Sequence, residues 1–161
     1  MSNGGLFKVS EIVQMAIDEE HNGCIFYNAL AKCAASDALK EMAKRLAEQE
    51  RGHEKAFVAL RDQLGAYQPH ETYPGEYADY VGVLVGGKSF PDEEGAIQLA
   101  QQAGGDTMAV DTAIAFEKNT LLFLNEMRKL VPEKDRATVD VLIDEERQHL
   151  VDLSAIRGEL G

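Results

Sequence analysis

Cysteine is scarce in this sequence, which has two cysteines in 161 residues and no CxxC pair. Without such a pair the chain offers no thiolate site for iron or zinc. Cys24 and Cys33 lie nine residues apart, and on one helix nine steps of about 100° place them on opposite faces. They can then share neither a metal nor a disulfide. We therefore expect two buried free thiols.

Basic residues and long apolar runs are also scarce. The 16 lysines and arginines are outnumbered by 28 aspartates and glutamates, which gives a formal net charge of −12. This charge argues against nucleic acid or an anionic membrane as the main partner. No stretch approaches the ~20 apolar residues of a membrane span, and the N-terminal MSNGGLFKVSEI has no apolar signal core. We expect a cytoplasmic protein with one domain over residues 1–161.

Four long segments have apolar residues at the spacing of an amphipathic helix. The first is predicted to begin at Ser10, an N-capping residue type, and the second at Ser36, ending before Gly65. The third begins near Asp106 and the fourth at Pro132, a residue type favoured in a first helical turn. Each segment has roughly 25 residues and would span about 37 Å. These lengths predict an all-α four-helix bundle.

Residues 66–105, between the second and third helices, have a different composition, rich in proline, glycine and tyrosine. A short helix is predicted from Asp92 to Ala103, and further helical turns from Glu76 to Val85. A connection of this length can cross the whole bundle, so we expect one long crossover carrying a short extra helix. The segment from Tyr77 to Val85 is apolar enough to need covering, by the bundle itself or by a second copy, and we expect a homodimer.

One glutamate interrupts the apolar stripe of each long helix. A helical glutamate usually lies on a solvated face, and a single one at a stripe edge would be interpreted in that way. Four such residues, one per helix, indicate the core instead, where a carboxylate must be paired, protonated or bound to metal. The four are Glu20, Glu50, Glu117 and Glu146.

Two of these glutamates are followed three residues later by a histidine, in Glu50-x-x-His53 and Glu146-x-x-His149. Residues at i and i+3 lie on the same side of a helix, so the carboxylate and the imidazole can reach one ion. A single Glu-x-x-His is common by chance, but two copies on apolar stripes are a stronger signal. Dinuclear carboxylate bundles use two such motifs plus one glutamate from each of the other two helices.

The spacing of the glutamates places them at one height in the bundle. In an antiparallel hairpin, residues equidistant from the turn lie level with each other. The midpoint between Glu20 and Glu50 is residue 35, and that between Glu117 and Glu146 is 131.5. Both midpoints coincide with turns predicted from capping residues. The separations of 30 and 29 residues are nearly equal, as in two related hairpins.

Charge also favours a pair of metal ions at this height. Four carboxylates contribute a charge of −4 and two divalent ions +4, which leaves a nearly neutral centre. Without metal the carboxylates repel one another, and some should take up protons. Carboxylate and imidazole ligands alone do not select iron over manganese or zinc. Two iron ions are the expected cofactor.

These motifs resemble the rubrerythrin branch of the ferritin-like superfamily of di-iron carboxylate proteins, over the four long helices. The resemblance implies that Glu20 and Glu117 are terminal ligands. It implies that Glu50 and Glu146 bridge the metals and that each histidine binds one of them. A further motif, Glu20-x6-Tyr27, would place the tyrosine beside the site. From the residues alone, Tyr27 could equally be a core tyrosine with a satisfied hydroxyl.

The sequence departs from the family pattern in several places. It has no cysteine-rich rubredoxin domain, which delivers electrons in rubrerythrins, so an external electron donor protein is expected. Thr120 stands where rubrerythrins have an extra glutamate, and Leu124 where a tyrosine follows the third-helix ligand. The connection between the hairpins is also longer than expected for rubrerythrin or bacterioferritin.

The expected function is a di-iron oxidoreductase acting on O₂ or hydrogen peroxide, as a ferroxidase or peroxide reductase in oxidative-stress defence or iron homeostasis. An iron storage or buffering module without catalytic turnover is one alternative. A metal-free structural bundle that binds a partner is another. His21, Glu19 and Glu145 are predicted at the surface or on the rim of the site, since they lie off the apolar stripes.

Overall fold

The computed structural model describes residues 8–71, 73, 75–77, 79–80 and 88–161. Within these ranges the chain is helical and contains no strand, so the predicted all-α fold is confirmed. A short 3₁₀ turn, Glu133–Asp135, precedes the last helix. The five long or well-defined helices are α1 (Val9–Cys33), α2 (Asp37–Leu64), α3 (Glu93–Gln101), α4 (Asp106–Leu130) and α5 (Arg136–Leu160).

Local capping explains where several helices begin and end. The Ser36 hydroxyl accepts a hydrogen bond from the Leu39 amide at 3.1 Å at the start of α2, and Gly65, with a φ of 53°, ends that helix as predicted. The prediction for Ser10 was wrong, because α1 already begins at Val9. Pro132 likewise precedes the 3₁₀ turn rather than α5.

The connection between α2 and α4 runs from one end of the bundle to the other. At its start, the Tyr67 carbonyl accepts a hydrogen bond from the Val9 amide at 3.2 Å, beside the beginning of α1. At its end, the Asp106 carboxylate accepts hydrogen bonds at 2.8 Å from Ala35 and Ser36, in the turn between α1 and α2. The two hairpins, α1–α2 and α4–α5, therefore pack together as a bundle with one crossover, as predicted.

The crossover carries α3, which packs on α1 and begins at Glu93, directly after the N-capping residue Asp92. The Asp92 carboxylate accepts a hydrogen bond from the Gly95 amide at 2.7 Å, so the predicted extra helix is confirmed within a residue or two. Of the segment predicted from Glu76 to Val85, residues 76, 77, 79 and 80 are helical. Residues 78 and 81–85 lie outside the described part of the chain, and with them most of the apolar segment expected to need covering by the bundle or by a second copy.

The core consists of two apolar layers, one toward each end of the bundle. The layer near the α1–α2 turn includes Phe26, Leu30, Leu46, Phe116 and Leu153. The layer at the opposite end includes Val13, Phe57, Leu60, Leu124 and Leu142. In each long helix of the two hairpins a few residues separate the two layers, and these positions hold the glutamates and histidines singled out above. A polar layer thus lies between two apolar ones.

The two cysteines differ in burial. Cys24 is buried in the apolar layer near the α1–α2 turn. The prediction of a buried thiol was wrong for Cys33, which is exposed, because nine residues along α1 place it on the face opposite the buried Cys24. Both thiols are free, as expected. Among the described residues no helix has the length and apolar character needed to cross a membrane.

Gly23 allows α1 and α4 to approach closely. A Cβ atom at this position would lie 2.6 Å from Cζ of Phe116, whose ring is buried and packs on Phe90 with centroids 4.8 Å apart. The ring therefore has little room to move aside. At Gly52, in α2, no atom lies within 4 Å of the corresponding Cβ position.

These two glycines give a matched test of the packing. We expect Gly23→Ala to lower the free energy of unfolding by about 1–3 kcal/mol, because overpacking outweighs the better helix propensity of alanine. We expect Gly52→Ala to raise it by about 0.5–1 kcal/mol, because that helix gains alanine without a clash. Urea denaturation of the metal-free proteins measures both. Equal changes in the two variants would contradict the close contact at Gly23.

Candidate metal centre

The polar layer is formed by six side chains from the four long helices of the two hairpins. α1 and α4 contribute one glutamate each, and α2 and α5 each contribute a glutamate and a histidine three residues later. None of the six is more than 3% exposed. The structure thus brings together all the residues that the sequence singled out as ligands: Glu20, Glu50, His53, Glu117, Glu146 and His149.

The six residues form two groups of four. The first contains Glu20 and His53, the second contains Glu117 and His149, and both contain Glu50 and Glu146. Within each group, one possible ligand atom per residue lies within 4.8 Å of the others. Two groups that share two carboxylates are the arrangement of a dinuclear site with two bridging ligands.

The shared carboxylates each face both imidazoles. Glu146 Oε1 lies 2.7 Å from His53 Nδ1, while its Oε2 lies 2.9 Å from His149 Nδ1. Glu50 is arranged in the same way, with Oε2 3.6 Å from His53 Nδ1 and Oε1 3.1 Å from His149 Nδ1. The imidazole rings are stacked, with centroids 5.4 Å apart and 17° between their planes. Each shared glutamate therefore presents one oxygen to each half of the centre.

Most of these polar atoms lack a hydrogen bond of good geometry. Both carboxylate oxygens of Glu20, Glu50 and Glu146 are buried without such a bond to any residue that the structure describes, and so is Nδ1 of each histidine. The short distances between imidazole nitrogens and carboxylate oxygens are therefore contacts around a common centre rather than directed hydrogen bonds. Buried carboxylates without partners are costly. The donor set fits divalent cations, which would satisfy these atoms.

The charges of the cluster perturb one another strongly. Burial, and then the negative charge of Glu146, raises the pKa of Glu117 to about 8. Burial also raises the pKa values of Glu20 and Glu50. Burial acts in the same direction on Glu146, but the contacts with His149 and His53 outweigh it and lower its pKa to about 2. Against the effect of burial, the neighbouring carboxylates raise the pKa of His149 to about 12.

Tyr27 lies beside the centre, fully buried in α1. Its hydroxyl donates a hydrogen bond to Oε1 of Glu117, whose other oxygen has no partner. Burial, followed by the charge of Glu117, raises the pKa of Tyr27 well above its usual value, so the phenol stays protonated. The two interpretations of Tyr27 made from the sequence are thus compatible, because its satisfied hydroxyl is bonded to a residue of the cluster.

The residues predicted to lie off the apolar stripes are outside the cluster, and two of them contact the crossover. His21 is at the surface, with Nε2 2.7 Å from Glu93 at the start of α3. Glu19 accepts a hydrogen bond from the Ser89 amide at 3.2 Å and so attaches the crossover to α1.

Two positions that depart from the family pattern are also buried. Leu124 is buried in an apolar layer, and the buried Thr120 hydroxyl has no hydrogen-bond partner among the described residues.

Glu145 has a role that the sequence did not indicate. It lies on the rim of the site, half-exposed as predicted, but its Oε2 is 2.7 Å from Nε2 of His53. The two residues are 92 positions apart and come from different hairpins. Only the packing of α2 against α5 brings them together, and no local pattern could have shown the contact.

Comparisons with known proteins identify the family. A sequence profile of the rubrerythrin family matches residues 11–156. A protein of Thermotoga maritima, provisionally described as a ferritin-like diiron-carboxylate protein, has a similar structure with a TM-score of 0.71. It is 26% identical, and the match covers 96% of this chain and 97% of that one.

A second structure shows the same fold. A hypothetical protein of Pyrococcus furiosus is 22% identical with a TM-score of 0.65, and the match covers 94% of this chain and 89% of the other. No curated protein is similar enough to the chain to count as a match. The profile match spans most of the chain and includes all four glutamates and both histidines of the polar layer. The chain belongs to the rubrerythrin family.

Proposed function

We propose that the polar layer binds two iron ions and that the chain acts as an oxidoreductase on O₂ or hydrogen peroxide. The observation that carries this proposal is the pair of four-residue groups that share Glu50 and Glu146. Six buried ligand residues arranged in this way fit two cations, and a single cation would leave one group without partners. Manganese and zinc suit the same ligands, so the identity of the metal is part of the test.

In this proposal each residue of the layer has a distinct role. Glu20 and His53 belong to one half of the centre, and Glu117 and His149 belong to the other. The shared glutamates join the two halves, since each has one oxygen facing His53 and the other facing His149. Tyr27 holds Glu117 in place through its hydrogen bond. The apolar layers above and below limit access of water to the centre.

Two ferrous ions held by these residues would supply the two electrons needed to reduce hydrogen peroxide, with two protons, to two molecules of water. The chain has no CxxC pair and no other thiolate cluster among its two cysteines. Renewed turnover as a peroxide reductase would therefore need electrons from another protein. We therefore propose that an external protein donates these electrons. As expected from the sequence, we also propose a cytoplasmic location and a homodimer.

Protons take the place of the metal charge in the metal-free cluster. The raised pKa values of His149, about 12, and Glu117, about 8, mean that both residues hold protons near pH 7. A metal ion must displace these protons before it can bind the same atoms. In the metal-free protein, the protons on these side chains thus offset the negative charge that the proposed metal ions would offset.

The number of metal ions bound per chain tests the assignment of the shared ligands. We expect the purified chain to bind two ferrous ions, and Glu50→Ala to bind at most one tightly, because the substitution removes a carboxylate shared by both groups. The measurement is iron per chain after anaerobic loading and desalting. Glu41→Ala is the matched control, since Glu41 is exposed on the same helix and pairs with Lys44 at 2.7 Å. Two tightly bound ions in Glu50→Ala would show that the assignment of shared ligands is wrong.

The second prediction concerns reactivity. We expect the ferrous protein to be oxidised by one equivalent of hydrogen peroxide or by O₂, and to become reactive again after reduction; the visible spectrum and the peroxide consumed are the measurements. Two bound ions that stay ferrous with both oxidants would favour iron buffering. Assembly into a large cage that holds many ions per chain would favour storage. No bound metal and an unchanged melting temperature would leave a structural bundle.

The third prediction concerns pH. Because metal and protons compete for the same atoms, we expect loading to release protons and the affinity for metal to fall as the pH is lowered from 8 to 6. Proton release is measured with an indicator dye in weakly buffered solution, and affinity by competition with a chelator at each pH. Metal binding without proton release would contradict the protonated state described for the empty cluster.

A further inference from the structure

The two histidines of the centre differ on the side that faces away from the carboxylates. Nε2 of His53 lies 2.7 Å from Oε2 of Glu145, a side chain that is 51% exposed. Nε2 of His149 is buried and has no hydrogen-bond partner among the described residues. One half of the centre is therefore connected to solvent through a carboxylate, and the other is enclosed.

A groove between α2 and α5 leads from the surface to His53. Its volume is about 540 Å³. The wall formed by α2 includes Gln49, Gly52 and His53, and the wall formed by α5 includes Val141, Leu142 and Glu145. His53 is only 3% exposed, so its ring forms the floor of the groove, with Glu145 beside it.

Gly52 keeps the groove open on the α2 side. It lies inside a long helix, where glycine is unfavourable relative to alanine. No backbone requirement explains it, because it has no positive φ. No close packing explains it either, since within the described part of the chain nothing beyond the adjoining helical backbone lies within 4 Å of the position that a Cβ would occupy. The space that a side chain would fill at this position belongs to the groove.

We propose that this groove is the port through which divalent metal ions reach and leave the His53 half of the centre, and that Glu145 is a positioning residue for His53. The inference rests on the metal binding proposed above and goes beyond it, because it makes the two halves unequal. The enclosed His149 half exchanges its ion more slowly than the half at the port.

Glu145 acts through His53. A carboxylate that accepts a hydrogen bond from one imidazole nitrogen fixes the orientation of the ring and directs the other nitrogen to the metal. Here Nε2 faces Glu145, and Nδ1 faces the shared carboxylate of Glu146 at 2.7 Å. The oxygens of Glu145 and Gln49 also give an incoming cation hard ligands at the mouth of the groove.

The test is the rate at which a ferrous chelator removes iron from the anaerobically loaded chain. We expect two phases of equal amplitude in the unmodified protein, one for each half. Gly52→Leu fills the groove and should slow the fast phase at least tenfold without changing the number of ions bound. Gly158→Leu is the matched control, because Gly158 also lies in a helix with no atom within 4 Å of its Cβ position. It should leave both phases unchanged.

A second blocking variant covers the case in which Gly52→Leu does not fold. Val141 is 57% exposed on the opposite wall, so Val141→Trp narrows the groove from α5 without disturbing the core, and should also slow the fast phase. If two ions bind and both phases keep their rates in the blocking variants, the port is wrong while the metal centre stands. If the unmodified chain binds no ion, the proposed function fails and the port fails with it.

Variants of Glu145 test its positioning role. Glu145→Ala should accelerate the fast phase at least tenfold and leave the slow phase unchanged. Glu145→Gln keeps an oxygen that can accept the hydrogen bond from His53, and should restore most of the normal rate. Equal acceleration of both phases by Glu145→Ala, or no rescue by Glu145→Gln, would overturn the role given to Glu145.

Discussion

Four carboxylates buried at one level of a helical bundle demand a compensating positive charge, and much of the architecture follows from this demand. A buried carboxylate without a partner is among the most expensive groups a fold can contain. The bundle surrounds Glu20, Glu50, Glu117 and Glu146 with two imidazoles and one phenol, and confines them between two apolar layers. The apolar layers supply the stability of the fold. The polar layer sets how the two hairpins align, because each hairpin contributes one Glu-x-x-His and one glutamate at the same height.

The main features of the bundle and its cluster could be predicted because they depend on local periodicity. Helix spacing alone placed Glu50 and His53 on one side, and distance from the turn alone placed Glu20 level with Glu50. The contact between Glu145 and His53 could not be found in this way, since it depends on the packing of two helices from different hairpins. Cys33 was misjudged for another reason, because the general tendency of free cysteines to be buried was applied to a residue on the outward face of α1.

The match to the rubrerythrin family includes the six residues of the polar layer, but two positions of α4 depart from the pattern expected of that family. Thr120 is buried with an unpartnered hydroxyl, and Leu124 belongs to an apolar layer. At these two positions of α4 the chain has no further acidic or phenolic side chain. The cluster therefore consists of four glutamates and two histidines, whose combined charge matches two divalent ions, with no fifth carboxylate among the described residues that make up the two ligand groups. The proposed reactivity depends on this set alone.

The division of the core into two apolar layers has a consequence for the life of the protein in a cell. In the proposed function, metal ions link the two hairpins across the polar layer, and the metal-free chain lacks this link. Ions that bind only the folded chain stabilise it in proportion to the logarithm of their free concentration. Proteolysis acts on the opened population, so a chain made during metal scarcity would be degraded faster than a loaded one. The abundance of the protein would then follow the supply of its metal without any dedicated regulator.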